Sequence, residues 1–97
     1  MATATQPTFD LGRAWRLHPQ VALRPEPFGA LAYHFGTRRL SFLKDLSLLR
    51  VVEGLAEHRS GRDACVAAGL ADAELPRYER ALATLAETGM ICPRETA

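Results

Sequence analysis

The sequence predicts an α+β domain in which a three-stranded antiparallel β-meander precedes three α-helices, and one change of pattern carries that prediction. Between residues 21 and 43 apolar residues alternate with a period of two, punctuated by Pro and Gly; from Asp45 onward the period lengthens to about 3.6. Length agrees. The 97 residues leave room for one core, burying roughly 60 to 65% of the surface the unfolded chain exposes.

Residues 1–13 are rich in Thr, Ala, Gln and Pro without a sustained period and read as a flexible arm. The ordered domain is expected to begin near Trp15, as its anchor. "VALR" at 21–24 reads as the first strand, and the two prolines of "RPEP" at 24–27 as the turn that ends it. The next two strands lie in "FGALAYHFGTRRLSFLKD", residues 28–45. Gly36 suits the first central position of a type II′ turn, so a two-residue loop at Gly36-Thr37 is expected, with Phe35 opposite Arg38. Counting outward, Tyr33 faces Leu40 and Leu31 faces Phe42, which makes those four the expected core face. His34, Arg39, Ala32 and Ser41 fall on the other, wetter face.

Helical signals follow. Leu48, Val52 and Leu55 form an apolar stripe flanked by Leu49, Val51 and Ala56, with Asp45 or Ser47 as the cap. "SGRD" at 60–63 has the spacing of a capping box and opens a short helix ending at Gly69. The last helix is expected to start between Asp72 and Pro76, to carry Tyr78, Ala81, Leu82, Leu85 and Ala86 on one face, and to stop at Gly89. "MICP" then extends and packs Met90 and Ile91 on the core. The last two helices, joined by "GLADAEL", look like a winged helix-turn-helix.

Composition excludes several functions. Twelve basic and 11 acidic residues give a net charge of +1, too balanced for a dedicated nucleic-acid binder. Cys65 and Cys92 form neither a CxxC pair nor a disulfide framework, and no metal site is expected. With no basic and apolar export signal at the N-terminus, the chain reads as cytoplasmic; with no apolar run of 18 residues, it has no membrane partner. No nucleophile is held by a base, so the chain is expected not to be an enzyme and to need no cofactor. His34 reads as a surface residue, His18 in "LHPQ" as a turn residue, and Cys65 as a buried inert thiol.

Two binding surfaces stand out. Arg77, Arg80 and Thr84 share the outer face of the last helix, which makes a small winged-helix DNA-binding regulator the competing reading, weakened by Glu74, Glu79 and Glu87 nearby. The other surface is the strand from Arg38 to Lys44. At the end of a meander it is an open edge, ready to take a peptide as a fourth strand, and Arg38, Arg39 and Lys44 would favour an acidic one. The same charges also serve as simple protection against edge aggregation, and the open edge would allow weak homodimerisation.

The segments "LHPQVALRPEPFGALAYHFGTRRLSFLKD" and "PRYERALATLAETGMICPRE" resemble the mycofactocin-system peptide chaperones, which are PqqD-like RiPP recognition elements. The likeness spans about residues 15 to 95, which makes residues 14–95 the expected peptide-recognition domain. It implies a non-catalytic protein that binds the leader of a ribosomally made precursor peptide and presents it to a radical SAM maturase. It further implies that the leader lies between the third strand and the last helix. On this sequence those positions are Arg38, Arg39, Leu40, Ser41, Phe42, Leu43 and Lys44, facing Tyr78, Ala81, Leu82 and Leu85.

Overall fold

The computed structural model describes residues 9–94. In chain order it contains β1 (Trp15–Leu17), β2 (Val21–Glu26), β3 (Gly29–His34), β4 (Leu40–Leu43), α1 (Leu46–Gly54), α2 (Gly61–Ala67), α3 (Leu75–Glu87) and β5 (Ile91–Pro93), with single 3-10 turns at Leu55–Glu57 and Asp72–Glu74. The class is α+β as expected, with the antiparallel meander β2-β3-β4 followed by three helices. One feature is additional: β5 pairs with β1, Trp15 opposite Pro93 and Leu17 opposite Ile91, and closes the chain on itself as a small second sheet.

The folded body begins before Trp15. Leu11 is buried, the carbonyls of Leu11 and Arg13 accept from the Arg62 and Gly61 amides at 2.9 and 3.0 Å, and Trp15 Nε1 donates to the Asp10 carbonyl at 2.8 Å. Residues 9–13 are therefore bound to the start of α2, and the rest of the expected arm, residues 1–8, lies outside the described residues. Trp15 is fully buried, as an anchor should be.

Strand β2 also runs further than expected, through Pro25 to Glu26. Hydrogen-bond alternation explains why. The Phe35 amide donates to the Gln20 carbonyl at 2.8 Å, so in the observed register Ala22–Tyr33 and Arg24–Leu31 are hydrogen-bonded pairs, whereas Pro25–Ala30 is not. The Pro25 nitrogen points to the outer edge, where a missing N–H removes no ladder bond.

The β3–β4 register is the expected one, with Tyr33 opposite Leu40, Leu31 opposite Phe42 and Ala32 opposite Ser41. The turn is different. Four residues, Phe35 to Arg38, form the loop, closed by His34 N–H to the Arg39 carbonyl at 2.9 Å and Arg38 N–H to the His34 carbonyl at 2.8 Å. The left-handed residue is Arg38, at φ 64°, and Gly36 is not in that region. Phe35 pairs with Gln20, so it is not opposite Arg38. A two-residue and a four-residue loop centred on the same bond leave His34 opposite Arg39 in either case, which preserves the register.

The faces of that hairpin are the reverse of those expected. Ala30, Ala32, His34 and Leu43 are buried toward the helices, while Leu31 and Tyr33 are half-buried and Leu40 and Phe42 are 52% and 57% exposed. The helices explain this. Small alanines on the central strand let α1 approach closely, and Leu43 fills the space with Leu48, Val52, Leu55 and Leu82 in one core cluster. His34 is 4% exposed, not a surface residue, and it is satisfied there: its Nδ1 accepts from the Gly36 and Thr37 amides at 3.0 and 3.1 Å.

The helices match their signals. Asp45 caps α1, Ser60 caps α2 by accepting the Asp63 amide at 3.1 Å, and Gly69 and Gly89 take left-handed conformations after α2 and α3. His18 lies against His34 with the rings tilted by 42° and their centroids 4.4 Å apart, and its Nδ1 accepts the Gln20 amide at 3.0 Å. Burial, then the neighbouring His34 and Arg16, hold the His18 imidazole below its ordinary value of 6.5. The unfolded chain therefore takes up this proton more readily than the folded one, so stability is full above pH about 6.5 and declines as pH falls from there toward the depressed folded value. Thermal midpoints at about pH 7.5 and about pH 5.5 should show the decline, and His18→Asn, which keeps a side-chain acceptor for the Gln20 amide, should reduce it. An identical pH dependence in that variant would contradict the assignment to His18.

Candidate functional site

Between β4 and α3 lies a groove of about 470 Å³, lined by Ser41, Phe42, Lys44, Asp45, Leu48, Arg77, Tyr78, Ala81, Thr84 and Leu85. Its two walls come from segments far apart in the sequence, and a single carboxylate joins them. Asp45 Oδ1 accepts the Leu48 amide at 2.7 Å and so starts α1, while Oδ2 accepts the Tyr78 hydroxyl of α3 at 3.0 Å. Arg77 completes the cluster. Its Nη2 donates to the Tyr78 oxygen at 3.1 Å and its guanidinium lies 4.9 Å above the Tyr78 ring. At the other end of α3, a Cβ on Gly89 would stand 3.9 Å from the His34 ring, so the helix runs antiparallel to β4 from Asp45 toward the hairpin end.

The open edge has definite donors and acceptors. Because the His34 amide donates a ladder bond to the Arg39 carbonyl, alternation makes Ser41–Ala32 and Leu43–Ala30 the next hydrogen-bonded pairs. The amides and carbonyls of Leu40 and Phe42 then point away from β3. Neither amide donates to another element among the described residues. The two edges of this sheet are thus unlike: β2 is blunted by the outward nitrogen of Pro25, and β4 is left able to pair.

The structure brings most of the expected site residues together and removes others. Ser41, Phe42, Lys44, Tyr78, Ala81 and Leu85 line the groove. Leu43 and Leu82 do not; both are fully buried in the core and unavailable to a ligand. Leu40 belongs to the edge through its backbone but turns its side chain to the outer face of the sheet. Arg38 and Arg39 are exposed at the hairpin tip, and Arg39 shares the helix-side face with Ser41 by alternation. Asp45, Leu48, Arg77 and Thr84 were missed as groove residues. Asp45 and Leu48 were legible as cap and apolar stripe of α1, but the second contact of Asp45, with Tyr78, spans 33 residues.

The arginine face of α3 changes its meaning as well. Arg77 is folded over Tyr78, and the Thr84 hydroxyl donates back to the Arg80 carbonyl at 3.2 Å. Of the three residues that suggested a helix reading DNA, two line the groove and Arg80 remains on the exposed face. Neither cysteine enters the site: Cys65 is buried, and its burial pushes the thiol up against the opposing pull of Arg62.

Comparison with known proteins places the chain in one family. A profile of the peptide chaperone MftB family matches residues 14–92. The chain is 56% identical over 94 residues to "Peptide chaperone MftB" of Mycobacterium ulcerans, covering 97% of this chain and 86% of that protein. The protein of the same name in Mycobacterium tuberculosis is 57% identical over 88 residues, covering 91% and 81% of the two chains, and that of Mycolicibacterium smegmatis 54% over 90 residues, covering 93% and 88%. No solved structure matches the chain. With a family profile over most of its length and relatives above half identity, the chain belongs to the peptide chaperone MftB family, whose members are named for a non-catalytic role.

Proposed function

We propose that this protein binds the leader of a ribosomally made precursor peptide as a fourth strand on β4 and presents it to a radical SAM maturase during mycofactocin biosynthesis. The observation that carries the reading is the pairing-competent Leu40 and Phe42 backbone beside a groove of about 470 Å³. A strand placed there would exchange hydrogen bonds with β4 and set alternate side chains against Tyr78, Ala81 and Leu85 of α3. Apolar leader residues suit that wall.

Charge selects the rest of the peptide. Lys44 and Arg77 stand at one end of the groove, and Arg38 and Arg39 at the hairpin tip toward the other. The one acid in the lining, Asp45, already accepts from Leu48 and Tyr78. An acidic leader is the complement.

Titrating the labelled protein with a synthetic precursor peptide and following amide shifts tests this directly. Shifts are expected at residues 38–44 and 77–86, and shifts elsewhere alone would overturn the assignment. The double change Arg38→Glu with Arg39→Glu should leave the fold intact, because exposed charges contribute little to stability. It should weaken an acidic leader by about 1 to 3 kcal/mol, roughly 5- to 150-fold, with the loss shrinking as salt rises. Calorimetry at low and high salt reads both effects; equal affinity for wild type and variant at both salts would leave these arginines as edge protection only.

A further inference from the structure

The reversed hairpin leaves the outer face of the sheet uncovered. Phe28, Leu40, Phe42 and Phe35 are 46%, 52%, 57% and 61% exposed, and Leu31 and Tyr33 lie half-buried between them. They form one surface: Phe28 meets Phe42 at 6.1 Å between ring centroids, Phe42 is opposite Leu31, Tyr33 is opposite Leu40, and Phe35 stands edge-on to Tyr33 at 5.1 Å. About half exposure on three aromatic rings and a leucine amounts to on the order of 400 Å² of apolar area. That is as large as the single largest patch of an ordinary monomer, and about half of what each partner contributes to a standard protein interface.

Three further observations choose the occupant. The surface is bordered by Arg24, Arg38 and Lys44, all exposed, and by Glu26, which pairs with Arg24 at 3.1 Å. A second copy of the chain stacked sheet on sheet would set one cationic border against another, because a two-fold contact uses the same patch on both copies. The surface is also continuous with the groove, since Phe42 belongs to both. Finally, a peptide added to β4 would send every second side chain onto this same face, so the surface is complete only in the loaded protein.

From these we infer that the outer face of β2-β3-β4 is the docking surface for the enzyme that processes the bound peptide, and that it receives an apolar patch bordered by acidic residues on that enzyme. This rests on the proposed peptide-binding role. Because leader and sheet present one surface, the enzyme binds the loaded chaperone more tightly than the free one, and by linkage the peptide binds the chaperone–enzyme complex more tightly in the same ratio.

Phe35→Asp and Ala22→Glu test the surface away from the groove. Phe35 is in the hairpin loop, and Ala22 is exposed on β2, opposite Tyr33 and at the far side of the sheet from β4. Each full-length variant, checked for its fold by circular dichroism, is titrated with precursor peptide and then, with peptide bound, with the radical SAM maturase. The expected result is peptide affinity within about twofold of wild type and a loss of enzyme affinity of about tenfold or more. Wild-type enzyme affinity in both variants, with peptide still bound, overturns the surface and leaves the groove standing; absence of peptide binding to the wild type overturns the groove itself. Sedimentation supplies the remaining outcome: a wild-type dimer that both variants abolish makes a second copy the occupant and refutes the assignment to the enzyme.

Discussion

Gly29→Ala should strongly destabilise the meander. Gly29 has φ +150°, and an added Cβ would stand 2.0 Å from the Leu43 carbonyl oxygen and 3.0 Å from the Asp45 amide nitrogen. Both neighbours are backbone, so no side chain can rotate away. Relief requires β3 to separate from the end of β4, where Leu43 is fully buried and Asp45 caps α1 while holding Tyr78. The cost is about 3 kcal/mol or more, which for a domain of this size lowers the thermal midpoint by roughly 12 to 24 °C. Gly69→Ala is the control. Its φ of +89° is left-handed too, but nothing lies within 4 Å of the added carbon, so it pays only the conformational strain of about 1 kcal/mol. Calorimetric melting of the two variants separates clash from strain, and equal midpoints would refute the close approach of β3 and β4 at Gly29.

That close approach also shows why the hairpin was only half legible in the sequence. Its register followed from the position of Gly36-Thr37, because the count is the same for a two- and a four-residue loop. Its faces did not follow, because each alternating set contains apolar residues. Leu31, Tyr33, Leu40 and Phe42 have the larger side chains and would bury more area, whereas Ala30 and Ala32 permit the nearer approach of α1. Which set wins is decided by helices later in the chain. Size alone pointed to the wrong face. His34 follows the alanines inward, and its two loop hydrogen bonds are what make a buried histidine acceptable there.

Other features were readable because their causes are local. Asp45 and Ser60 lie three residues before the amides they cap, and Gly69 and Gly89 end helices by taking a conformation that glycine adopts at little cost. The pairing of β1 with β5 has no such signal: the two three-residue strands are separated by most of the chain. The groove sits between these extremes. Its β4 wall was visible as an edge, its α3 wall came from family likeness, and the Asp45–Tyr78–Arg77 cluster that joins them required the folded chain.

The alternation of β4 makes the strand-addition reading testable at a single amide. Phe42→Ala removes the ring from the outer face but keeps the outward N–H; Phe42→Pro removes the ring and that N–H together. The fold should accept the proline, because Pro25 already occupies an outward-facing position on the opposite edge and the ladder bonds of β4 belong to Ser41 and Leu43. Ser41→Pro is the contrasting change: its amide pairs inward with Ala32, so it should open the hairpin and lower the melting point. If the leader pairs with β4, Phe42→Pro leaves one peptide carbonyl without its donor and should bind about 1 to 3 kcal/mol more weakly than Phe42→Ala, roughly 5- to 150-fold. A groove that recognised the peptide through side chains alone would give the two variants equal affinity. Calorimetric titration of both folded variants with the precursor peptide decides, and equal dissociation constants would place the leader off the sheet edge.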